Sequence, residues 1–584
     1  MTELAHDGLS VAARPAAAKR TSLLGRLRNM ELITLLWIVL IVVLLILVAA
    51  PMLKLFAVSF EDQRTGTFTL GNYAAAYGRA RYVDALINSL LLGTASATLS
   101  VIFAVPMAWA VSRTDMPAKW LTLVVVLGAF MLPPYLSAIG WILLAGPNSG
   151  FINLGWHWLT GGSTPLFNVF SFEGMTLVIA LNAFPLVFIF VKAAFDLVSS
   201  EMEDAANILG AGTWVAMRRV SIPLVMPAIM GGFILVFLEA ISLFGVPAIL
   251  GIPARINVVT TQLWQFFEWP VRVETAAAYS MPLLLITVGL IAVQKLALAR
   301  KGFVSQTGKG GERRMIRLGR WRWALFAWCS LVGLLAVAMP LFVLLQASFS
   351  KAWGNGLSFD NFTLANYRLL IFEHDMALYS IWNTVWFSAS AATITVVLAL
   401  LTAYVVQRKL LRFAEALGFL AMAPFVIPGI VMAIGFYAAY ASPPLSLYGT
   451  ATIIILAFAA RFLPIAYANS SAAIRAVHPE MEEAARILGS GRVRAMARVT
   501  APLVRKALLG GWLIVFIVAS RELSAAIFLV GPQTRTMAVL LYDMSEAGNF
   551  EVLAAFGGIL LLITMTLVGI GMKLIGRDFM LRRA

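Results

Sequence analysis

Charge is what this chain has least of. Only 12% of its 584 residues are Asp, Glu, Lys or Arg, against 61% hydrophobic. A soluble domain usually carries about 25% charged residues, so a water-exposed globular fold is excluded and an integral membrane protein is implied. Cysteine is nearly absent: Cys329 stands alone in an apolar run, which excludes a disulfide framework and any paired-thiol metal site. The four histidines, His6, His157, His374 and His478, lie far apart, and no His, Cys or carboxylate cluster has metal-ligand or acid–base spacing. A membrane enzyme is therefore poorly supported. Also missing is any G-x-x-x-x-G-K-[ST] stretch, the loop whose backbone amides cradle nucleotide phosphates, so the chain does not bind and hydrolyse ATP in that manner. The net charge of +16 would suit nucleic acid, but no soluble stretch is long enough to form the basic face of a folded domain.

What the chain has in abundance is apolar runs near the roughly 20 residues that a membrane span needs. Twelve are expected: from Leu32 to about Ser59, then near 85–112, 120–145, 174–195, 226–250, 274–297, 324–348, 379–406, 414–440, 450–473, 507–530 and 551–575. The first is too long for a signal-peptide core and lacks a small-residue cleavage site, so it reads as an uncleaved span. With the N-terminus inside, and with Lys54, Lys192, Lys295 and Lys573 near span ends counted with the adjoining loops, 33 of the 44 Lys and Arg fall on inward segments, nine on outward ones and two, Arg461 and Arg521, in spans. The positive-inside bias thus places both termini in the cytoplasm. The expected division is a cytoplasmic tail at 1–30, a first half at 31–297, a basic linker at 298–323, a second half at 324–576 and a cytoplasmic tail at 577–584. The linker reads as a topological anchor against anionic lipid.

The halves repeat each other. Phe68-Thr69-Leu70-Gly71-Asn72-Tyr73 matches Phe362-Thr363-Leu364-Ala365-Asn366-Tyr367; Asn88 matches Asn383, Pro133 matches Pro428, and Ala138-Ile139-Gly140 matches Ala433-Ile434-Gly435. Six spans per half, an even number, make the repeats parallel. The strongest match is polar. Residues 201–232 and 480–511 agree at 19 of 32 positions, at an offset of 279 against 294–295 earlier. About sixteen extra residues therefore lie in the outward loop near 146–173, which is rich in Gly and Trp. Interfacial Trp anchoring is its plain reading, and asymmetric contact with a partner the sharper one.

Each polar copy lies between the fourth and fifth spans of its half. Ser200 with Glu203 has the form of a capping box, and Pro479 suits a first helical position. Glu201, Glu203 and Asp204, like Glu480, Glu482 and Glu483, cluster where the helix dipole favours acids. Ala205 and Ala206, or Ala484 and Ala485, leave a small face. Gly210 and Gly212, or Gly489 and Gly491, are expected to break the helix, before a short basic helix runs to Pro223 or Pro502. Two matching cytoplasmic loops in one chain imply one job against one kind of surface.

At these residues the chain resembles the permease subunits of binding-protein-dependent (type I) ABC importers. Asp204-Ala205-Ala206, three residues, Gly210, nine residues, Val220-x-Ile222-Pro223 has the spacing of that family's EAA loop. Glu483-Ala484-Ala485 to Gly489 and Val499-x-Ala501-Pro502 fit it again, with Asp204 for Glu, Val for Ile and Ala501 for Leu as departures. The resemblance implies an all-α membrane fold of about twelve spans in two parallel six-helix repeats, each with a cytoplasmic coupling helix. It implies ATPase-coupling residues at Glu203, Asp204, Ala205, Ala206, Gly210 and Pro223, and at Glu482, Glu483, Ala484, Ala485, Gly489 and Pro502. It also implies two copies of a separate ATPase that carry ATP and Mg, an external substrate-binding protein, and no cofactor in this chain. The fused form, with Glu239-Ala240-Ile241-Ser242-Leu243-Phe244-Gly245-Val246-Pro247 and Ser520-Arg521-Glu522-Leu523-Ser524-Ala525, looks most like iron(III) permeases; thiamine, polyamine or phosphonate remain open.

A charge inside a membrane costs about 2.5–3.5 kcal/mol or more, so Glu239, Arg521 and Glu522 need a partner or a water-filled path. Either they line the translocation path, with carboxylates suited to a cationic substrate, or Arg521 pairs with an acid and locks helices together. Adjacent Arg521 and Glu522 would point about 100° apart on a helix. Arg461 is expected to snorkel or pair. The competing class, an ion-driven secondary transporter, also suits twelve spans in parallel halves but leaves the matched loops unexplained.

Overall fold

Apolar runs flanked by turn residues fold here as long helices, because only a helix pairs every backbone N–H and C=O within itself away from water. The computed structural model describes residues 32–198, 202, 205–206, 208–300, 315–411 and 413–575. Both expected tails, the middle of the linker, Ser200, Glu201, Glu203 and Asp204 lie outside the described residues.

Ten unbroken helices are long and apolar enough to span: Trp37–Val58, Ala80–Arg113, Phe172–Leu197, Trp214–Ser242, Val273–Gln294, Trp321–Ser348, Asp375–Gln407, Ala451–Arg475, Arg492–Ser520 and Phe550–Gly571. The expected third and ninth spans are not straight. Lys119–Met131 and Pro134–Ala145 meet at 102°, and Ala414–Phe425 and Gly429–Tyr440 at 109°. The cause is the repeated proline: Pro133 (φ −59°, ψ 136°) and Pro428 (φ −55°, ψ 140°) stand extended before each second half-helix.

Neighbouring contacts show that these bent pairs still cross. Ser100 Oγ donates to the Ala180 carbonyl at 3.2 Å and Arg113 Nη1 to the Val198 carbonyl at 2.9 Å. The second and fourth spans therefore run parallel, and the chain between them must travel the length of the bundle. Thr395 Oγ1 to the Ala459 carbonyl (3.3 Å) and Gln407 Nε2 to Ser471 Oγ (2.7 Å) fix the same relation for the eighth and tenth. Twelve crossings result, two of them broken.

The second, fourth and fifth spans form the core of the first half, and the eighth, tenth and eleventh that of the second. The halves interlock because each lends its first span to the other. The first span packs on Gly429–Tyr440 and the seventh on Pro134–Ala145. The matched glycines permit this: a Cβ on Gly435 would come 2.9 Å from the Pro51 carbonyl oxygen, and one on Gly140 3.0 Å from Pro340 Cβ. The other matched motif is also structural. Asn72 Nδ2 donates to the Ser59 and Glu61 carbonyls (3.1 and 2.8 Å), and Asn366 Nδ2 to those of Ser348 and Ser350 (3.1 and 2.9 Å). Each pair ties down the turn that follows the first span of its half.

The fifth and eleventh spans begin earlier and end earlier than expected. The basic segment is no separate helix but the first turns of the span, joined through π-helical turns at Met217–Ser221 and Met496–Thr500. A wider turn there relieves the clash between the ring of Pro223 or Pro502 and the preceding carbonyls.

Candidate functional sites: two coupling loops and a charged chamber

The second polar loop is described in full. Glu480–Ile487 forms a helix with Glu480, Glu482 and Glu483 in its first turn and Pro479 at its N-cap, one place before the expected first helical position. It ends at Gly489, whose φ is +90°; Gly210 has φ +83° in the first copy. Of the four loop glycines, only these two take the left-handed conformation. Gly491 is instead the extended N-cap of the next helix (φ −65°, ψ 157°), which corrects the expectation that it breaks the first one.

The Glu482 side chain is 8% exposed and faces the spans. Its Oε1 accepts from Arg408 Nε at 3.0 Å and Thr500 Oγ1 at 2.6 Å and forms an ion pair with Arg408 Nη2 at 2.9 Å, and its Oε2 accepts from the Tyr404 hydroxyl at 2.9 Å. Arg408 Nη2 also donates to the Val477 carbonyl at 3.1 Å. One carboxylate thus rivets the polar helix to the eighth and eleventh spans. Arg113, Val198 and Ser221 stand at the matching places of the first half, and Arg113 donates to Val198 as Arg408 does to Val477.

Glu483 and Ala484 are exposed, Ala485 half-buried, and Ala205 and Ala206 repeat that pattern; Pro223 and Pro502 are exposed. Sequence reasoning missed the tips of the loops. Ile487 and Leu488 are 85% and 87% exposed, and Ile208 and Leu209 86% and 88%. Their signal was an apolar pair, identical in both copies, at the end of a polar helix. Exposed large apolar side chains outside the membrane mark a surface that something else covers.

The second site lies between the halves. Glu239, Arg461, Arg521, Glu522 and Tyr135 line one chamber of about 100 Å³. Arg461 does not snorkel: its Nε lies 3.3 Å from Glu522 Oε2. Glu522 Oε1 accepts from the Ala525 N–H at 2.9 Å. Among the described residues, Arg521 has no acid within ion-pair distance. It donates to the Phe130 carbonyl of the other half and stacks over the Phe130 ring at 4.8 Å. The eleventh span ends at Ser520, so Arg521 and Glu522 are not on a helix and both reach the chamber, contrary to the 100° expectation. Nor are the carboxylates a free cation site, since Glu522 is paired with Arg461. Three chamber groups keep buried atoms without a hydrogen-bond partner: Glu239 Oε2, Arg461 Nη1 and the Tyr135 hydroxyl.

At the end of the bundle away from the loops, aromatic rings from both halves close over the chamber. Phe528 packs on Phe267 at 4.9 Å, Trp264 at 5.5 Å and Phe244 at 6.4 Å, while Phe244 meets Tyr542 at 5.6 Å. The Phe244 N–H donates to Ser524 Oγ at 3.3 Å across the same seam. The chamber is asymmetric: at the offset of 279, Asn182, Ser242 and Leu243 stand where the second half has Arg461, Arg521 and Glu522, and Val518 stands opposite Glu239. Among the described residues, no group of three or more His, Cys, Asp or Glu could hold a metal ion.

A family profile, the binding-protein-dependent transport system inner membrane component, matches residues 68–301 and 395–580. The chain is 25% identical over 542 residues, 90% of its length, to the ferric transport system permease protein FbpB of Actinobacillus pleuropneumoniae, of which it covers 76%. A putative ferric transport system permease protein FbpB 1 of Haemophilus influenzae is 26% identical, with 85% of this chain and 77% of that one covered. A probable molybdenum ABC transporter permease protein of Haloferax volcanii is 32% identical over 36% of this chain and 71% of its own length. Among solved structures, a bacterial alginate ABC transporter in complex with an alginate pentasaccharide-bound periplasmic protein aligns over 44% of this chain and 98% of its own, at 17% identity and a TM-score of 0.36.

Proposed function

The chain belongs to the family of binding-protein-dependent transport system inner membrane components, in a fused form that carries both permease halves, and from that premise we propose how it works and what it carries. It forms the translocation path of an ATP-driven importer. Two copies of a separate ATPase, which bring the ATP and Mg, dock on the two polar loops at the cytoplasmic face. A substrate-binding protein delivers cargo at the opposite face, over the aromatic closure. Both termini lie in the cytoplasm of a bacterial inner membrane. The cargo is ferric iron, a reading supported by the likeness to ferric permeases over most of the chain.

One observation carries the coupling role. The two loops present the same exposed tip, Ile208-Leu209 and Ile487-Leu488, from a chain without a phosphate-binding loop of its own. A groove on an ATPase that covers one such pair removes two large side chains from water, each worth about 1.5–3 kcal/mol. Through Glu482, any displacement of the second loop is passed directly to the eighth and eleventh spans. The eleventh span borders the chamber at Val518 and, just past its end, at Arg521 and Glu522, so ATP-driven approach of the two ATPases shifts the balance between closed and open aromatic seams. A switch needs such differential binding to its two states.

The chain's one cysteine, Cys329, is buried, which makes a crosslinking test clean. With Ile487→Cys or Ile208→Cys, a bifunctional thiol reagent should join the permease to its ATPase, and excess ATPase lacking surface cysteines should compete. Absence of any crosslink from either position, in a complex that otherwise co-purifies, would place the docking surface elsewhere.

A further inference from the structure

The charged chamber has features that a lock between helices does not require. A structural ion-pair network satisfies its own polar atoms, because a buried unpaired group costs about 1–3 kcal/mol, more if charged. Here three are left without partners: Glu239 Oε2, Arg461 Nη1 and the Tyr135 hydroxyl, with Tyr135 only 2% exposed. They come from three different helices in two halves, and all three side chains line the same void.

The backbone adds a second observation. Both broken spans turn the start of their second half-helix toward this place. Pro134 and Tyr135, the first residues of Pro134–Ala145, line the chamber. Gly429, the first of Gly429–Tyr440, touches the Arg461 guanidinium so closely that no Cβ would fit there. Each half-helix is twelve residues long, and a helix N-terminus carries roughly half a positive charge. Half-helices broken inside a membrane commonly direct these ends at anionic groups. One such end and two guanidiniums, Arg461 and Arg521, therefore border one small cavity, and the other end lies directly behind Arg461. Against them stand one carboxylate already paired, Glu522, and one unpaired, Glu239.

A bare cation would meet that positive field and leave Arg461 Nη1 unsatisfied. A bare anion would leave Glu239 Oε2 facing it. Resting on the iron reading above, we propose that the chamber is a cargo site for a metal–oxyanion pair: iron(III) crosses together with a small oxyanion. Arg461, Arg521 and the half-helix N-terminus at Pro134 receive the anion; Glu239 and the Tyr135 oxygen receive the metal, a hard cation that takes oxygen ligands. Size agrees. The chamber of about 100 Å³ is well below the roughly 300 Å³ at which pockets begin to hold drug-sized organic ligands, so in this conformation it suits an inorganic species rather than thiamine or a polyamine.

The test uses the full complex of permease, ATPase pair and binding protein in proteoliposomes, with iron-55 as Fe(III) and phosphorus-32 as phosphate outside and ATP inside. Both labels should enter in a fixed ratio, and iron uptake should fall at least tenfold in a buffer free of phosphate and carbonate. Tyr135→Phe and Glu239→Gln keep size and shape and remove only atoms that have no protein partner. A structural role predicts unchanged or higher melting temperature and unchanged transport; a cargo site predicts at least a fivefold loss of iron uptake at unchanged melting temperature. Full-rate iron uptake without any oxyanion, or wild-type uptake in both variants, overturns the proposal. If the unaltered complex carries no iron under any condition, the iron reading falls, and phosphate alone then decides. A phosphate-dependent rise in melting temperature that Arg521→Gln abolishes keeps the anion site, and no such rise removes it.

Discussion

Replacing Glu482 by Ala should unfasten the second coupling loop without disturbing the spans it is fastened to. The carboxylate accepts three hydrogen bonds, one each from Arg408, Tyr404 and Thr500, and is ion-paired with Arg408. Breaking a buried ion pair from one side costs about 3–5 kcal/mol, because the remaining charge stays desolvated. Arg408 keeps its bond to the Val477 carbonyl and is 11% exposed, which points to the lower part of that range. About 3 kcal/mol corresponds to a loop that opens roughly a hundredfold more often, at 1.4 kcal/mol per factor of ten. Hydrogen exchange of the backbone amides from Ala484 to Leu488 reads this directly and should accelerate by that factor. Exchange in the core of the eighth span should stay as it was. Uptake should fall while the ATPase still binds, since Ile487 and Leu488 are intact. The double variant Glu482→Ala, Arg408→Ala should recover part of the loss, because it removes the stranded charge. Unchanged exchange at Ala484–Leu488 in the single variant would refute the rivet, and so would strictly additive losses in the double variant.

Alanine at Ile487 and Leu488 together should leave melting temperature within about 0.5 kcal/mol of equivalent stability and weaken ATPase binding tenfold or more, read by co-purification at limiting ATPase. Gly489→Ala should cost about 1–3 kcal/mol of local strain, because φ is +90°. The cost is purely of the backbone, since a Cβ there meets nothing within 4 Å, so Gly489→Asn should be milder in the same uptake assay. Gly435→Val should push the first span away, costing about 1–3 kcal/mol by overpacking. Its Cβ would lie 2.6 Å from Met52 Cε, and protease sensitivity of the Trp37–Val58 helix in detergent would report the displacement.

Most of the architecture is legible in the apolar runs. A membrane leaves helices little freedom except length, so the count of spans and the repeat survive. The bends at Pro133 and Pro428 were present as a matched proline, yet a proline inside a long apolar run reads equally as a mild kink, and only packing by the other half's first span decides for 102° and 109°. The coupling loops were legible because polar residues among oily ones carry information. Their inward and outward faces were not: Glu482 and Glu483 are neighbours of one chemistry, and burial of the first depends on Arg408, seventy-four residues earlier. The chamber was legible only as isolated charges. That Arg461 would meet Glu522, and Arg521 the carbonyl of Phe130, depends on helix ends such as Ser520, which hydropathy places poorly.

The matched polar loops and the longer outward loop place one difference between the halves at the outer face. The chamber adds another further in, since Asn182, Ser242 and Leu243 mirror Arg461, Arg521 and Glu522. The two halves match at the polar loops and differ around the chamber.

The most direct test of the central claim is iron-55 uptake into proteoliposomes that contain the permease, its ATPase pair and its binding protein. The lumen holds either ATP or a non-hydrolysable analogue, with proton and sodium gradients imposed or collapsed. Uptake that requires hydrolysable ATP and ignores both gradients is the predicted result. Uptake driven by a gradient without ATP would contradict it and return the chain to the ion-driven transporters.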